Sequence, residues 1–238
     1  MIQRRKADER GKANYGWLDA RYTFSFGEYY DPDHIHFGPL RVMNQDRVAP
    51  GRGFPRHGHD NMEIVTYVLH GVLEHKDSMG NGSQMKPGDV QFMSAGSGVQ
   101  HSEYNALKDE ELRLMQMWVV PAQRNTEPRY EQRTFADGER RSTLKLCVSP
   151  DGEGDSLTIG QDARMYTGLF DSGETVTHDL TAKAAYLHVA EGSVTVNGQT
   201  LHPGDGAEIT DESEIEITGV ERANVVLWEF PAALVVIA

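Results

Sequence analysis

Two stretches of the chain carry one glycine–proline framework, and that repetition constrains the fold more tightly than any other feature. Val68-Leu-His-Gly71 is followed sixteen positions later by Pro87, within Lys86-Pro-Gly-Asp89. Leu187-His-Val-Ala-Glu-Gly192 is followed eleven positions later by Pro203, within His202-Pro-Gly-Asp205. The shorter spacing fits a tighter hairpin, because Asn197-Gly198 is a favoured two-residue turn. Both copies also close alike, on Met117-Trp-Val-Val-Pro121 and Leu227-Trp-Glu-Phe-Pro231. Side chains alternate along Glu63–Leu69, and convincing helical periodicity is missing throughout. The expected class is therefore all-β, an internal duplication of a small β-barrel. A chain of 238 residues has room for two small domains that each bury a core. The polar, arginine-rich connection 121–145 separates residues 1–134 from residues 135–238, with one short helix or strand inside it.

Chemistry concentrates between Gly51 and Asn105. His57 and His59 are two apart, as are His101 and Glu103, and side chains two apart in a strand share a face. Two adjacent strands would gather all four, and imidazole with carboxylate is a donor set that suits a catalytic transition metal. A lone His-x-His is more often a surface or core feature than a ligand pair. The second pair, the glycine-rich turns and the alternating strand between them tip the reading to metal. Glu63 shares parity with His57, His59 and an apolar set, so it is expected to face inward, where a carboxylate must be paired, hydrogen-bonded or metal-bound. Counting from the glycines, the second copy offers His178, Leu180, Ile217 and Gly219 at the four ligand positions, so it is expected to be metal-free. His34 and His36 lie in a turn-rich segment and read as surface residues. Tyr22, Phe24 and Phe26 alternate as in a short strand with one apolar face.

Composition excludes several classes. The formal charge is −13, so direct nucleic-acid binding, which needs a basic face, is not expected. Cys147 is the single cysteine, which rules out an internal disulfide, fits a reducing compartment and reads as a small buried apolar residue. The charged N-terminus has no secretory h-region, and no apolar run is long enough for a membrane helix. The expected location is the cytoplasm, with the tail Ala232–Ala238 docking as a strand or packing on a partner.

The His-x-His, Glu and later His within this spacing resemble the two motifs of the cupin superfamily. More specifically, the chain resembles the pirin family, which includes a bacterial quercetin 2,3-dioxygenase. The residues that carry the resemblance are Gly16-Trp17, Phe24-Ser-Phe26, Tyr30-Asp-Pro32, Leu40-Arg-Val, Gly53-Phe54, His57-Gly-His59, Glu63, Thr66-Tyr-Val68, His75, Asp77-Ser78, Ala95-Gly96, Gly98 and His101-Ser-Glu103. It is dense over residues 10–134 and thinner beyond. Two departures are Tyr22, where close relatives often have His, and Ala95, where a proline is usual.

The resemblance implies a bicupin, two face-to-face cupin barrels (double-stranded β-helices), with one divalent metal in the first. The ligands would be His57, His59, His101 and Glu103, with Glu63 behind them; iron is the leading candidate, and nickel, manganese, copper, cobalt and zinc are alternatives. Four protein ligands leave two positions of an octahedral ion open, whereas a four-ligand zinc site would be closed. The implied activity is oxidative: a flavonol such as quercetin reacts with O2, its heterocyclic ring opens and carbon monoxide leaves. Glu103 would be the catalytic base as well as a ligand, and Phe24, Phe26, Phe54 and Met93 would wall the planar substrate. The alternative is a non-catalytic, redox-responsive regulator that binds a protein partner.

Overall fold

A computed structural model of the chain describes residues 1–232; the expectation for the tail falls mostly on 233–238, outside the described residues. Each half contains a seven-stranded and a four-stranded antiparallel sheet, apart from one short parallel pair, Lys145–Ser149 with Leu157–Thr158. In the first half the large sheet runs, edge to edge, Arg129–Thr134, Asp89–Ser94, Glu63–His70, Leu112–Val119, Leu40–Val48, Leu18–Tyr22 and Gly11–Asn14. Its small sheet runs Gly53–His59, Val99–Asn105, Leu73–Asp77 and Gly82–Met85. The second half repeats the plan, with Thr175–Asp179, Glu214–Gly219, Val194–Val196 and Gln199–Leu201 as its small sheet. Asn197 and Gly198, at φ 46° and 80°, form the expected tight turn between the last two.

One exchange crosses the expected boundary. Ile2–Arg5 pairs with Gly206–Thr210 at the edge of the second large sheet, although it precedes the first barrel in sequence. Arg129–Thr134 covers the corresponding edge of the first large sheet. Each barrel thus has an open ladder capped by a segment lying outside its own run of strands, which removes an edge that could pair with another chain. The connection also holds one short helix, Asp137–Arg140. Among the described residues no helix is long and apolar enough to cross a membrane.

The two large sheets pack face to face. Val65, Tyr67, Phe92, Met115 and Met117 from the first meet Tyr186, Val226, Trp228 and Phe230 from the second in one buried cluster. The Trp228 indole N–H points at Met117 Sδ, 3.2 Å away. Both faces of these strands are therefore buried, one against the other barrel and one inside its own. That explains why Glu63–His70 is buried at seven of eight positions rather than at alternate ones. Tyr22, Phe24 and Phe26 do not form one face: the strand ends at Tyr22, which packs inside the first barrel, while Phe24 turns into the interface against Tyr186.

Candidate metal centre

The small sheet of the first barrel brings the sequence motifs together through its register. His101 stands opposite His57 and Val99 opposite His59, but Glu103 stands opposite Phe54, so Gly53–His59 carries an extra residue at this point. The bulge coincides with Pro55, which has no N–H for a ladder bond and lies on an edge strand, where proline is tolerated. It re-aims the chain so that the Pro55 carbonyl accepts the His57 Nδ1 hydrogen at 2.8 Å. That bond fixes the tautomer and leaves the His57 Nε2 lone pair facing the cluster, as an imidazole bound to a cation requires.

His57, His59 and His101 each place a ring nitrogen within 4.8 Å of the other two. Their ring centroids are separated by 4.4 Å (His57–His101), 4.8 Å (His57–His59) and 4.9 Å (His59–His101). Glu103 lies one step deeper, in a second buried group with His75 and the shared His101. Gln116 Nε2–H donates to Glu103 Oε2 at 2.8 Å, and the Trp118 indole N–H donates to Gln116 Oε1 at 3.2 Å. Glu103 Oε1 is buried and has no partner, and the same holds for both ring nitrogens of His101 and for His75 Nδ1. Burying such atoms unpaired costs about 1–3 kcal/mol each. A cation between the three imidazoles and Glu103 would satisfy several at once, so the residues present fit a transition metal.

Protonation states agree with that fit. Burial, reinforced by the neighbouring imidazoles, depresses the His59 pKa to about 4 and the His101 pKa to about 3. Both rings are neutral near pH 7, with lone pairs available. Asp46, buried inside the barrel, has its carboxyl pushed up to about 7 by desolvation and then by the charge of Glu103.

Of the remaining site expectations, two are corrected. Glu63 points away from the histidines: its Oε2 accepts the Gly160 N–H at 2.7 Å and its Oε1 accepts the Ser94 hydroxyl hydrogen. It faces the second barrel because its parity partners Val65 and Tyr67 belong to the interface cluster. Phe24 is likewise an interface residue, 1 % exposed and packed on Tyr186. The Phe54 ring centroid lies 6.4 Å from that of His57, Phe26 packs on Trp118, and Met93 belongs to a small cluster with Ile64, Ala95 and Val99 against which Trp118 also packs. Trp118 itself, at 4.8 Å edge-to-face on His59, was not singled out for the site from sequence. Neither were Gln116 or His75, whose Nε2 pairs with Asp77 Oδ2 at 3.1 Å. Alternation places Gln116 and Trp118 on the face opposite Met115 and Met117, a signal the sequence did contain.

The second barrel is different inside. Leu187, Val194, Val196, Ile215, Ile217 and Leu227 fill it. His178 is bonded to Glu229 Oε1 at 2.7 Å, and Glu229 Oε2 accepts the Thr181 N–H and hydroxyl, so this carboxylate is fully occupied.

Fold and site together define a double cupin with a histidine-lined candidate cation site in its first barrel. Sequence comparison resolves the class further: the pirin model matches residues 3–119, and the model of the quercetinase C-terminal cupin domain matches residues 146–230. The chain belongs to the pirin family. It is 44 % identical over 232 residues to a quercetin 2,3-dioxygenase of Escherichia coli strain K12, covering 97 % of this chain and 99 % of that one. A pirin-like protein of Caulobacter vibrioides is 43 % identical over 229 residues, covering 95 % of this chain and 98 % of the relative. The crystal structure of the bacterial pirin YhhW of Escherichia coli in complex with nickel(II) superposes with a TM-score of 0.92 at 44 % identity, covering 98 % of this chain and 100 % of that one.

Proposed function

We propose that this protein is a metal-dependent dioxygenase that opens the heterocyclic ring of a flavonol such as quercetin with O2 and releases carbon monoxide. The observation that carries the reading is the convergence of three imidazoles beside a carboxylate with one unpartnered oxygen. His57, His59, His101 and Glu103 are the proposed ligands; iron is the proposed ion, and the nickel complex of a relative makes nickel the first alternative. When bound, the ion supplies Lewis acidity toward a phenolic hydroxyl and a centre for oxygen chemistry.

The chain's own groups do the rest. Gln116 holds Glu103 Oε2, so Oε1 is the oxygen that would serve the ion, and by shifting away from that role it would take the proton of the flavonol 3-hydroxyl. The Pro55 carbonyl keeps His57 in the tautomer whose Nε2 faces inward. Trp118 and Phe54, set against His59 and His57, offer ring edges and faces to orient a planar substrate. A cytoplasmic setting suits the one buried thiol, Cys147.

The test is turnover by purified protein loaded in turn with iron, nickel and manganese. Quercetin loss with matching carbon monoxide release is expected with at least one of them. No loss and no carbon monoxide with any of the three would overturn the activity. A His57→Ala variant that keeps its full metal content would separately overturn the ligand assignment.

A further inference from the structure

A cavity of about 510 Å³ lies between the two barrels, and no histidine lines it. The first barrel contributes Arg10, Arg21, Arg47 and Arg113; the second contributes Ala190-Glu191-Gly192 and Pro203-Gly204. Four guanidinium groups around one cleft run against a chain whose formal charge is −13. The acids lining it pair with two of the four: Asp19 is engaged by Arg21 and Glu191 bonds Arg113 at 2.8 Å, while Asp46 is buried and Arg47 has no paired acid among the described residues.

Two features point to an anion. Arg47 and Arg113 stand directly opposite each other in the ladder between Leu40–Val48 and Leu112–Val119. Like charges at such positions destabilise a sheet. Glu191 and Glu111 pair with Arg113, and Asp19 stands opposite Arg47 on its other side, but among the described residues Arg47 itself makes no ion pair and no side-chain hydrogen bond. Behind them Arg10 is only 5 % exposed, and its hydrogen bonds all end on neutral oxygens: Gln45 Oε1, the Gly204 carbonyl and the Arg21 carbonyl. Its Nε is buried without a partner. Asp46 acts on Arg10 through space, but among the described residues no carboxylate bonds it, and a buried guanidinium with an unsatisfied donor is costly.

We propose that this cleft binds a small polyanion, a phosphate or a polycarboxylate, between Arg47 and Arg113 with Arg10 behind, so that the ligand bridges the two barrels. Guanidinium forks match the paired oxygens of either group. The cavity is in the size range of small-molecule sites.

Calorimetric titration of the full-length, metal-loaded protein with inorganic phosphate, and separately with tricarballylate, tests this at ionic strength matched with sodium chloride. Saturable binding of one ligand per chain is expected with at least one of them, and which one binds identifies the source of the anion. Arg47→Gln should weaken it tenfold or more. The same variant should melt no lower than the parent without the ligand, because Arg47 bonds to nothing whose loss could unfold the chain. Arg113→Gln should weaken binding too, although it also cuts the bond to Glu191. Absence of saturable binding with both anions, or parental affinity in Arg47→Gln, overturns the proposal.

Discussion

Glu63→Ala separates two roles for one carboxylate. If Glu63 backed the metal, its loss would lower metal content and leave the fold intact. The structure instead joins it to Ser94 in the neighbouring strand and to Gly160 of the second barrel, with the side chain 1 % exposed. A hydrogen bond to a charged group is worth about 1.5–3 kcal/mol, and truncation strands both donors in a dry interface. The expected loss is therefore about 3–5 kcal/mol. At roughly 2–4 °C per kcal/mol for a chain of this length, melting should fall by about 6–20 °C. Glu63→Gln keeps one acceptor and should lose about half as much. Differential scanning calorimetry gives the melting temperature, and elemental analysis of the folded fraction gives metal per chain, which should not change. A Glu63→Ala protein that melts like the parent but holds less metal would refute the reasoning.

Gln116→Leu removes the hydrogen bond that, among the described residues, alone holds Glu103 Oε2, and frees the carboxylate to rotate; a competition assay with a chelator should show metal affinity about 10–100-fold weaker, in the range for such supporting contacts. For metal-free protein the pH trend has a definite sign. His59, His101 and the fully buried His188 have folded pKa values below the unfolded value of 6.5, so the unfolded chain gains protons first as pH falls. Stability should be flat above about pH 7 and decline from 6.5 toward 4 and below, by up to about 1.4 kcal/mol per pH unit for each titrating ring. Urea midpoints across that range check it, and a midpoint that rises on acidification would contradict it. Cys147 is 0 % exposed and its thiol is pushed up to about 11, so a thiol reagent should label it only after unfolding.

Much of this molecule was legible in its sequence, and what was missed has physical causes. The duplicated glycine–proline spacing gave the two barrels, and the i, i+2 spacing brought His57, His59 and His101 together, with Glu103 in the adjoining group it shares with His101 and His75, because strand parity is strict where one face alone is buried. Parity fails as a guide where both faces are buried. Glu63 does face inward, as read, but on the large sheets inward has two meanings, and Val65 and Tyr67 show that it looks at the other barrel. Phe24 was misplaced for a different reason: the strand ends at Tyr22, so alternation no longer governs where its ring points. Gln116 and Trp118 were passed over because they sit in a strand that reads as continuous core. The strand Ile2–Arg5 was hidden differently: no local pattern says that a four-residue segment will pair with Gly206–Thr210, some two hundred residues on.

The same double burial accounts for the first barrel's tolerance of a polar interior. Asn44, Thr66, Gln91, His75, His101 and Glu103 are all buried there, each with at least one unpartnered atom. At about 1–3 kcal/mol per unsatisfied group, six of them are comparable with the whole stability of an ordinary domain. Water or metal relieves part of that cost, and the other face of the same sheet offsets much of the remainder. Val65, Tyr67, Phe92, Met115 and Met117 are buried against the second barrel, at about 1.5–3 kcal/mol for each large side chain removed from water. The second barrel, filled with aliphatic side chains, thus acts as the apolar support that a chemically equipped barrel lacks on its own. Residues 1–134 expressed alone should then be unfolded or aggregated, with near-ultraviolet circular dichroism lost, whereas residues 1–238 fold. A soluble, monomeric 1–134 fragment that binds one divalent ion with native-like spectra would show that the interface is dispensable and that the polar barrel sustains itself.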